Sequence, residues 1–333
     1  MMFSFSRRIQ VLFRCQRGKS LFVLGIGRAK MAGGQVSPWR RGKFFENLLA
    51  ARCQTAYNGN NNWKEVCPVD YKMLKYAVED GVAVITLDYA PTLNALDENM
   101  ARELEQALQQ AEADPAARTV VLTGAGRAFC GGGDIRYMKA HCEEPDFGAN
   151  AMAPLAGKLS DIVIRIKQMS KLVICAVAGA AAGGGCNLAY GCDFVFAAEN
   201  AKFLQAFVGI ALMPDTMGGY LVPRMAGPHR ALDMFVTGRP VTAREALDLG
   251  FVKEVVPKEE LMPKAMAFAK ELAQGPTHAY AAMKKMMFVS LYSEMRKFRD
   301  AEVALQEDCA GTADFREGIT AFLEKRPPRF TGR

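Results

Sequence analysis

No apolar run in this chain approaches the roughly 18 residues needed to span a bilayer; the early candidate, Leu21 to Ile26, is far too short. Histidine is scarce. The three present, His141, His229 and His278, stand far apart without ligand spacing, so no metal site is expected. The nine cysteines contain no C-x-x-C pair, and some lie in apolar runs, as Cys175 does in LVICAVAG. Free, buried, reduced thiols suit an intracellular compartment. Acids are absent from residues 1–45, which hold ten of the 42 Lys and Arg. The remaining residues carry 32 basic against 35 acidic groups, so the formal charge of +7 belongs to the tail. That argues against a nucleic-acid-binding body.

With 50% apolar and 23% charged residues, the chain has an ordinary soluble composition, enough for one large domain or two smaller ones. Residues 1–68 are Arg-rich and lack sustained periodicity, and Asn58-Gly59-Asn60-Asn61-Asn62-Trp63 reads as a linker. Two readings of this basic extension stay open. It is a transit peptide, which implies a mitochondrial protein. Or it is upstream sequence read from an early start, since Met73 could open a complete domain, which implies a cytoplasmic one. A core over 69–260 and a helical assembly region over 261–333 are expected to follow.

Order begins near Lys72. Strands are expected at Val82 to Leu87, Thr119 to Gly124, Leu172 to Val177, Asp193 to Ala197, Ala201 to Phe203 and Val252 to Val256. Asp97 is placed to cap a helix running to about Ala113, another helix spans about Pro154 to Met169, and a short one starts at Gly184. Strands alternating with helices argue for an α/β body. MKKMMF, Met283 to Phe288, reads as helix core with two exposed lysines.

Two glycine clusters follow expected strands: Gly131-Gly132-Gly133-Asp134 and Gly183-Gly184-Gly185. Neither matches G-x-G-x-x-G or a P-loop, so phosphate binding is poorly supported. Glycine permits unusual backbone angles and close approach. Two such loops can aim two N–H groups at one oxygen, as in an oxyanion hole, or can be tight turns and nothing more. Cys130 beside the first cluster has no nearby histidine and reads as loop filler. Asp134 is expected to order its loop by hydrogen bonds.

The runs AGRAFCGGGDIRYM, ICAVAGAAAGGGCNLAYGCDFVFAAENAKF, MPDTMGGYLVPRMAG and VTGRPVTAREALDLGFVKEVV, with PTLNAL before them and FREGITAFLEKRPPRF at the end, resemble the crotonase (enoyl-CoA hydratase/isomerase) superfamily over about 73–333. The resemblance implies an α/β fold of repeated ββα units with a C-terminal helical region. It implies a homotrimer or dimer of trimers, and a coenzyme A thioester substrate as in fatty-acid metabolism. No separate cofactor is implied, since coenzyme A is part of the substrate. By position, Gly133 and Gly184 match the family's oxyanion-hole residues, and Lys325 a position near the coenzyme phosphates, although a solvated surface lysine reads equally well.

Family hydratases use two carboxylates, and this chain departs from the pattern at both places. Asn187 stands at one and Phe207 at the other. An amide is no useful acid or base near neutral pH. Asn187 either binds substrate or satisfies its helix. Asp215 occupies a place where some isomerases of the family carry their acid, with Phe207 and Met213 as candidate pocket walls. The expectation is an enzyme, an acyl-CoA isomerase that uses Asp215 as acid/base. Ala206 to Asp215 also resembles the phenylacetate-pathway ring-epoxide isomerases. A nucleophilic Asp215, as in aroyl-CoA dehalogenases of the family, is disfavoured because those have Trp at the place of Phe207. Hydratase and non-catalytic acyl-CoA-binding scaffold are the alternatives.

Overall fold

The computed structural model of the protein describes residues 70–333 throughout. Before them it describes short strands: β1 (Leu12–Phe13) antiparallel to β2 (Phe22–Val23), and β3 (Gln54–Asn58) paired with β4 (Asn62–Val66). Asn58, Asn62 and Trp63 of the expected linker are thus strand residues, while the residues of the basic extension other than these four strands lie outside the described residues.

The body opens with a hairpin that the alternation of side chains did not reveal. β5 (Leu74–Glu79) turns into β6 (Val82–Leu87) through Asp80-Gly81, both at positive φ (50° and 81°). Two residues with left-handed angles are what a tight hairpin with the native strand twist requires, and Asp-Gly supplies them. Helix α1 (Glu98–Ala113) follows, capped by Asp97, whose side chain accepts from the Met100 amide at 2.8 Å.

A repeated unit then builds the layers: a strand, a tight bend, a second short strand and a helix. It recurs as β7 (Thr119–Gly124), β8 (Ala128–Cys130) and α2 (Ile135–His141), with α3 (Ala153–Gln168) after it. It recurs again as β9 (Leu172–Val177), β10 (Ala180–Ala182) and α4 (Gly184–Gly191). The third copy is β11 (Phe194–Ala198) and β12 (Lys202–Leu204), closed by a helical turn over Ala206–Ile210. After α5 (Gly218–Ala226) and α6 (Pro228–Thr237) come β13 (Pro240–Thr242), α7 (Ala243–Asp248) and β14 (Glu254–Val256). First strands enter a six-stranded sheet of order β14-β11-β9-β7-β6-β5, and second strands a four-stranded sheet of order β13-β12-β10-β8. Pairing is parallel except for β5 on β6 and β13 on β12. Of the second strands, β12 was expected at Ala201 to Phe203, while β8 and β10 were too short to read from pattern, because three residues carry no period.

The central strands are buried on both faces, as parallel strands are. Val121, Ile174 and Phe196 meet Leu261, Ala265 and Ala269 of α8 (Leu261–Gln274), while Val120, Leu122, Val173 and Cys175 face the main core with Leu104, Ile162 and Phe203. Three more helices complete the chain: α9 (Thr277–Leu291), α10 (Met295–Ala310) and α11 (Ala313–Glu324). Among the described residues no helix is long and apolar enough to cross a membrane.

Helix α9 reverses the reading of MKKMMF. Met283, Met286 and Met287 are exposed at 55%, 64% and 46%, and Lys284 is buried. The cause is electrostatic. Nζ of Lys284 donates to Oδ2 of Asp193 at 2.6 Å and to the Lys171 carbonyl at 2.8 Å, and the same Oδ2 accepts from the Val173 amide at 2.8 Å. This pair ties α9 to the ends of β9 and β11. Lys284→Met leaves the mostly buried carboxylate of Asp193, 12% exposed, without that partner. It is expected to cost about 3 kcal/mol of unfolding free energy in denaturant titration. A loss near about 0.5 kcal/mol, the scale of an exposed pair, would show that the tie does not matter.

Candidate active site

The ends of β8 and β10 place the two glycine loops against each other. Gly132, at φ +92°, packs so closely that a methyl there would sit 3.0 Å from the Ala182 carbonyl oxygen. Gly133 and Gly184 line one cavity of about 410 Å³. Gly184 opens α4, where the first amides lack helical acceptors and carry the positive end of the helix dipole. Neither the Gly133 nor the Gly184 amide donates to a backbone acceptor among the described residues. The Asp134 carboxylate accepts from the Arg136 and Tyr137 amides and caps α2, ordering the first loop.

The cavity wall is apolar. Leu155, Ala156 and Leu159 of α3 form one side, Phe207, Ile210 and Leu212 another, and Phe322 of α11 contributes from the C-terminal end. Asp215 is the single ionisable side chain among the lining residues. A methyl on Gly184 would lie 3.6 Å from Oδ1 of Asp215 and 2.9 Å from Oγ1 of Thr216, so the carboxylate stands beside the second glycine loop.

Asp215 is 7% exposed, and both its oxygens are engaged. Thr216 Oγ1 donates to Oδ1 at 2.8 Å and Gln306 Nε2 donates to Oδ2 at 2.9 Å. Burial pushes its pKa up to about 6, against the downward pull of those two hydrogen bonds. Such a group is mostly ionised at neutral pH and still basic enough to take a proton.

Four of the expected site residues meet here: Gly133, Gly184, Phe207 and Asp215. Asn187 does not line the cavity. It is fully buried behind it, with Nδ2 donating to the Asp215 carbonyl at 2.7 Å and Oδ1 accepting from Gln205 Nε2 at 2.8 Å. Its amide is engaged with the main chain of Asp215 and with Gln205, behind the cavity wall. Met213 is not a wall either; Leu212 takes that place, and the Met213 amide donates to Gln306 Oε1 at 3.2 Å. Lys325 ends α11 at φ +56°, exposed and outside the cavity lining. Cys130 is buried, and burial pushes its thiol up to about 12, which suits filler and not a nucleophile. No group of metal-ligating side chains occurs among the described residues.

Sequence reasoning missed Gln205, Gln306 and Glu302. For the last two a signal existed. Both fall on the stripe that α10 buries, with Met295 and Ala310. A carboxylate and an amide on the buried face of an amphipathic helix need a polar partner inside.

A family profile described as enoyl-CoA hydratase/isomerase matches residues 77–333. A probable enoyl-CoA hydratase of Rhodobacter capsulatus is 41% identical over 265 residues, covering 80% of this chain and 100% of that one. A 1,2-epoxyphenylacetyl-CoA isomerase of Escherichia coli is 38% identical over 258 residues, covering 77% and 97%. The crystal structure of an enoyl-CoA hydratase from Mycobacterium avium subsp. paratuberculosis superimposes with a TM-score of 0.70 at 31% identity, covering 78% and 99%.

The burial of Asp215 has a consequence for stability. Its folded pKa lies above the ordinary value of 3.8, so its contribution is fully present below about pH 4 and is lost as pH rises through about 6. Asp215→Asn removes the titration. Its unfolding free energy is expected to lose about 2 kcal/mol less than wild type between pH 4 and pH 7. Parallel stability curves for the two proteins would show that Asp215 titrates as an exposed carboxylate.

Proposed function

The chain belongs to the enoyl-CoA hydratase/isomerase family, and we propose that it is an acyl-CoA isomerase that shifts a double bond with Asp215 as acid/base. One observation carries this reading: a lone ionisable group in an apolar cavity, beside two glycine loops in which the Gly133 and Gly184 amides have no backbone acceptor among the described residues.

The proposed steps need one base. The Asp215 carboxylate removes a proton from the carbon between the thioester and the double bond of a 3-enoyl-CoA. The electron pair passes to the carbonyl oxygen. The amides of Gly133 and Gly184 donate to the resulting oxyanion, a contribution of about 100-fold or more per donor. Protonated Asp215 then returns the proton at the far end of the dienolate. The double bond has moved, and atoms and electrons balance with no redox or metal step. Coenzyme A enters as part of the substrate, and Lys325 is the residue proposed for its phosphates.

Hydration fits less well. Adding water calls for a second group to hold and activate it. At the two places in question stand Phe207, an apolar wall, and Asn187, whose amide already serves Asp215 and Gln205. A ring-rearranging reaction is the second reading, favoured by the relative named 1,2-epoxyphenylacetyl-CoA isomerase and by the aromatic walls Phe207 and Phe322. Assembly is part of the proposal. The exposed Met283, Met286 and Val289 on α9, with Leu232 and Val236 on α6, would be covered by further copies of the chain in a trimer or dimer of trimers.

The test is a panel of linear and ring acyl-CoA thioesters in deuterated water. Conversion of a 3-enoyl-CoA to its 2-enoyl isomer is expected, without 3-hydroxyacyl-CoA, with deuterium at the new allylic carbon only in turnovers where protonated Asp215 exchanges with solvent, and with Asp215→Asn slower by about 1,000-fold. Accumulation of the hydrated product, or full turnover by Asp215→Asn, would overturn the reading. A protein that only binds acyl-CoA would show no turnover with any thioester.

A further inference from the structure

Helix α10 presents Glu302 and Gln306 four residues apart, hence on one face. Gln306 holds the loop of Asp215 twice, accepting from the Met213 amide at 3.2 Å and donating to Asp215 Oδ2 at 2.9 Å. One turn earlier, Oε1 of Glu302 accepts from the Met217 amide at 3.0 Å and from Ser160 Oγ of α3 at 2.7 Å. The two side chains grip residues 213, 215 and 217, on both sides of the carboxylate. The loop requires it. Thr216 and Met217 adopt φ of 54° and 63°, a conformation that non-glycine residues keep only when their surroundings impose it. Neither Glu302 nor Gln306 lines the cavity, so neither meets substrate.

The second oxygen of Glu302, Oε2, is buried and has no partner. The charged groups facing Glu302 are Asp215 and Arg299. The Arg299 guanidinium pairs through Nη2 with Asp161 at 3.0 Å and through Nη1 with Asp300 at 3.2 Å; its buried Nε has no partner, and none of its nitrogens makes an ion pair with Glu302. An ionised Glu302 would leave a bare anionic oxygen in a dry place beside a second carboxylate. Resting on the reading of Asp215 as proton carrier, we propose that Glu302 and Gln306 are positioning residues that clamp its loop, and that Glu302 stands protonated so that the single negative charge of the site sits on Asp215.

Burial pushes Glu302 up to about 8 and Asp215 only to about 6, the order this assignment needs. The consequence is a two-sided pH profile. Activity rises as Asp215 ionises. It falls as Glu302 ionises, because a second charge there opposes both the Asp215 anion and the oxyanion forming beside it.

The experiment uses the full chain with a 3-enoyl-CoA from pH 5 to pH 10, together with infrared spectra of the unliganded protein. Gln306→Met is expected to lower kcat about 10- to 100-fold with KM changed less than about threefold. It also moves the acid limb upward, because the Asp215 anion loses a donor. Glu302→Leu is expected to lower kcat by a similar factor. Glu302→Gln keeps the acceptor for Met217, so it recovers most of that loss and abolishes the alkaline limb. A protonated-carboxyl band at pH 7, present in wild type and absent in Glu302→Gln, reports the proton directly. Three results would overturn the proposal: an alkaline limb that persists in Glu302→Gln, a wild type without that band, or a Gln306→Met enzyme with unchanged kcat and acid limb. The band is read without turnover, and Asp215→Asn judges the role of Asp215. Failure of the clamp and failure of the isomerase reading are therefore separable.

Discussion

A carboxylate kept in an apolar cavity is the constraint on which the rest of this structure depends. Removing Asp215 from water raises its energy as an anion, and the protein offsets this only in part. Thr216 and Gln306 each donate one hydrogen bond to it, and no Lys or Arg makes an ion pair with it among the described residues. A cation would have held the charge more tightly and left a weaker base. Two neutral donors leave it at about 6, where it is ionised at neutral pH and still able to accept a proton. The partial compensation is thus a chemical setting, obtained from Gln306 far along the chain.

Placing Asp215 beside the two glycine loops is the work of the fold. The repeated strand-bend-strand-helix unit sends each second strand into a separate four-stranded sheet. β8 and β10 are neighbours there, so the glycine loops that follow them end side by side. Glycine at 132 allows the contact, since any side chain would meet the Ala182 carbonyl at left-handed φ. Asp215 reaches the same point along a different path, through a strained loop pinned from behind by Asn187 and from α10 by Gln306 and Glu302. Gly133, Gly184 and Asp215, from three separate segments, then line one cavity.

Much of this was legible before any coordinates. The strands Val82–Leu87, Thr119–Gly124 and Leu172–Val177 and the start of α4 at Gly184 follow from β-rich runs and glycine punctuation. Asp97 and Asp134 cap helices because an aspartate before a helical run satisfies free amides. The three-residue strands β8, β10 and β13 were not legible, since their identity comes from pairing and not from pattern. Lys284 was misread for a related reason. A lysine among methionines looks exposed until Asp193, 91 positions away, supplies its partner. Asn187 stands where the resemblance led to an acid being expected, and its side chain is engaged within the protein, with the Asp215 carbonyl and Gln205. Long-range hydrogen bonds of that kind leave no local trace.

Several departures from local rules gather around Asp215. Two consecutive non-glycine residues at positive φ, two buried carboxyl groups and a buried amide pair all lie within the segment around Asp215 or touch it. Leu93 and Asn94 also hold positive φ and Lys284 is also buried, whereas the Asp80-Gly81 hairpin and the two-faced burial of β7 and β9 agree with their sequences. Strain and unfavourable burial concentrated in one segment are what a functional site accumulates. Water supplies the final link. The apolar wall that includes Phe207 offers no side-chain donor or acceptor to hold a water. In the proposed isomerase reading, the burial that raises the energy of the Asp215 anion suits moving a proton within a substrate better than adding water to it.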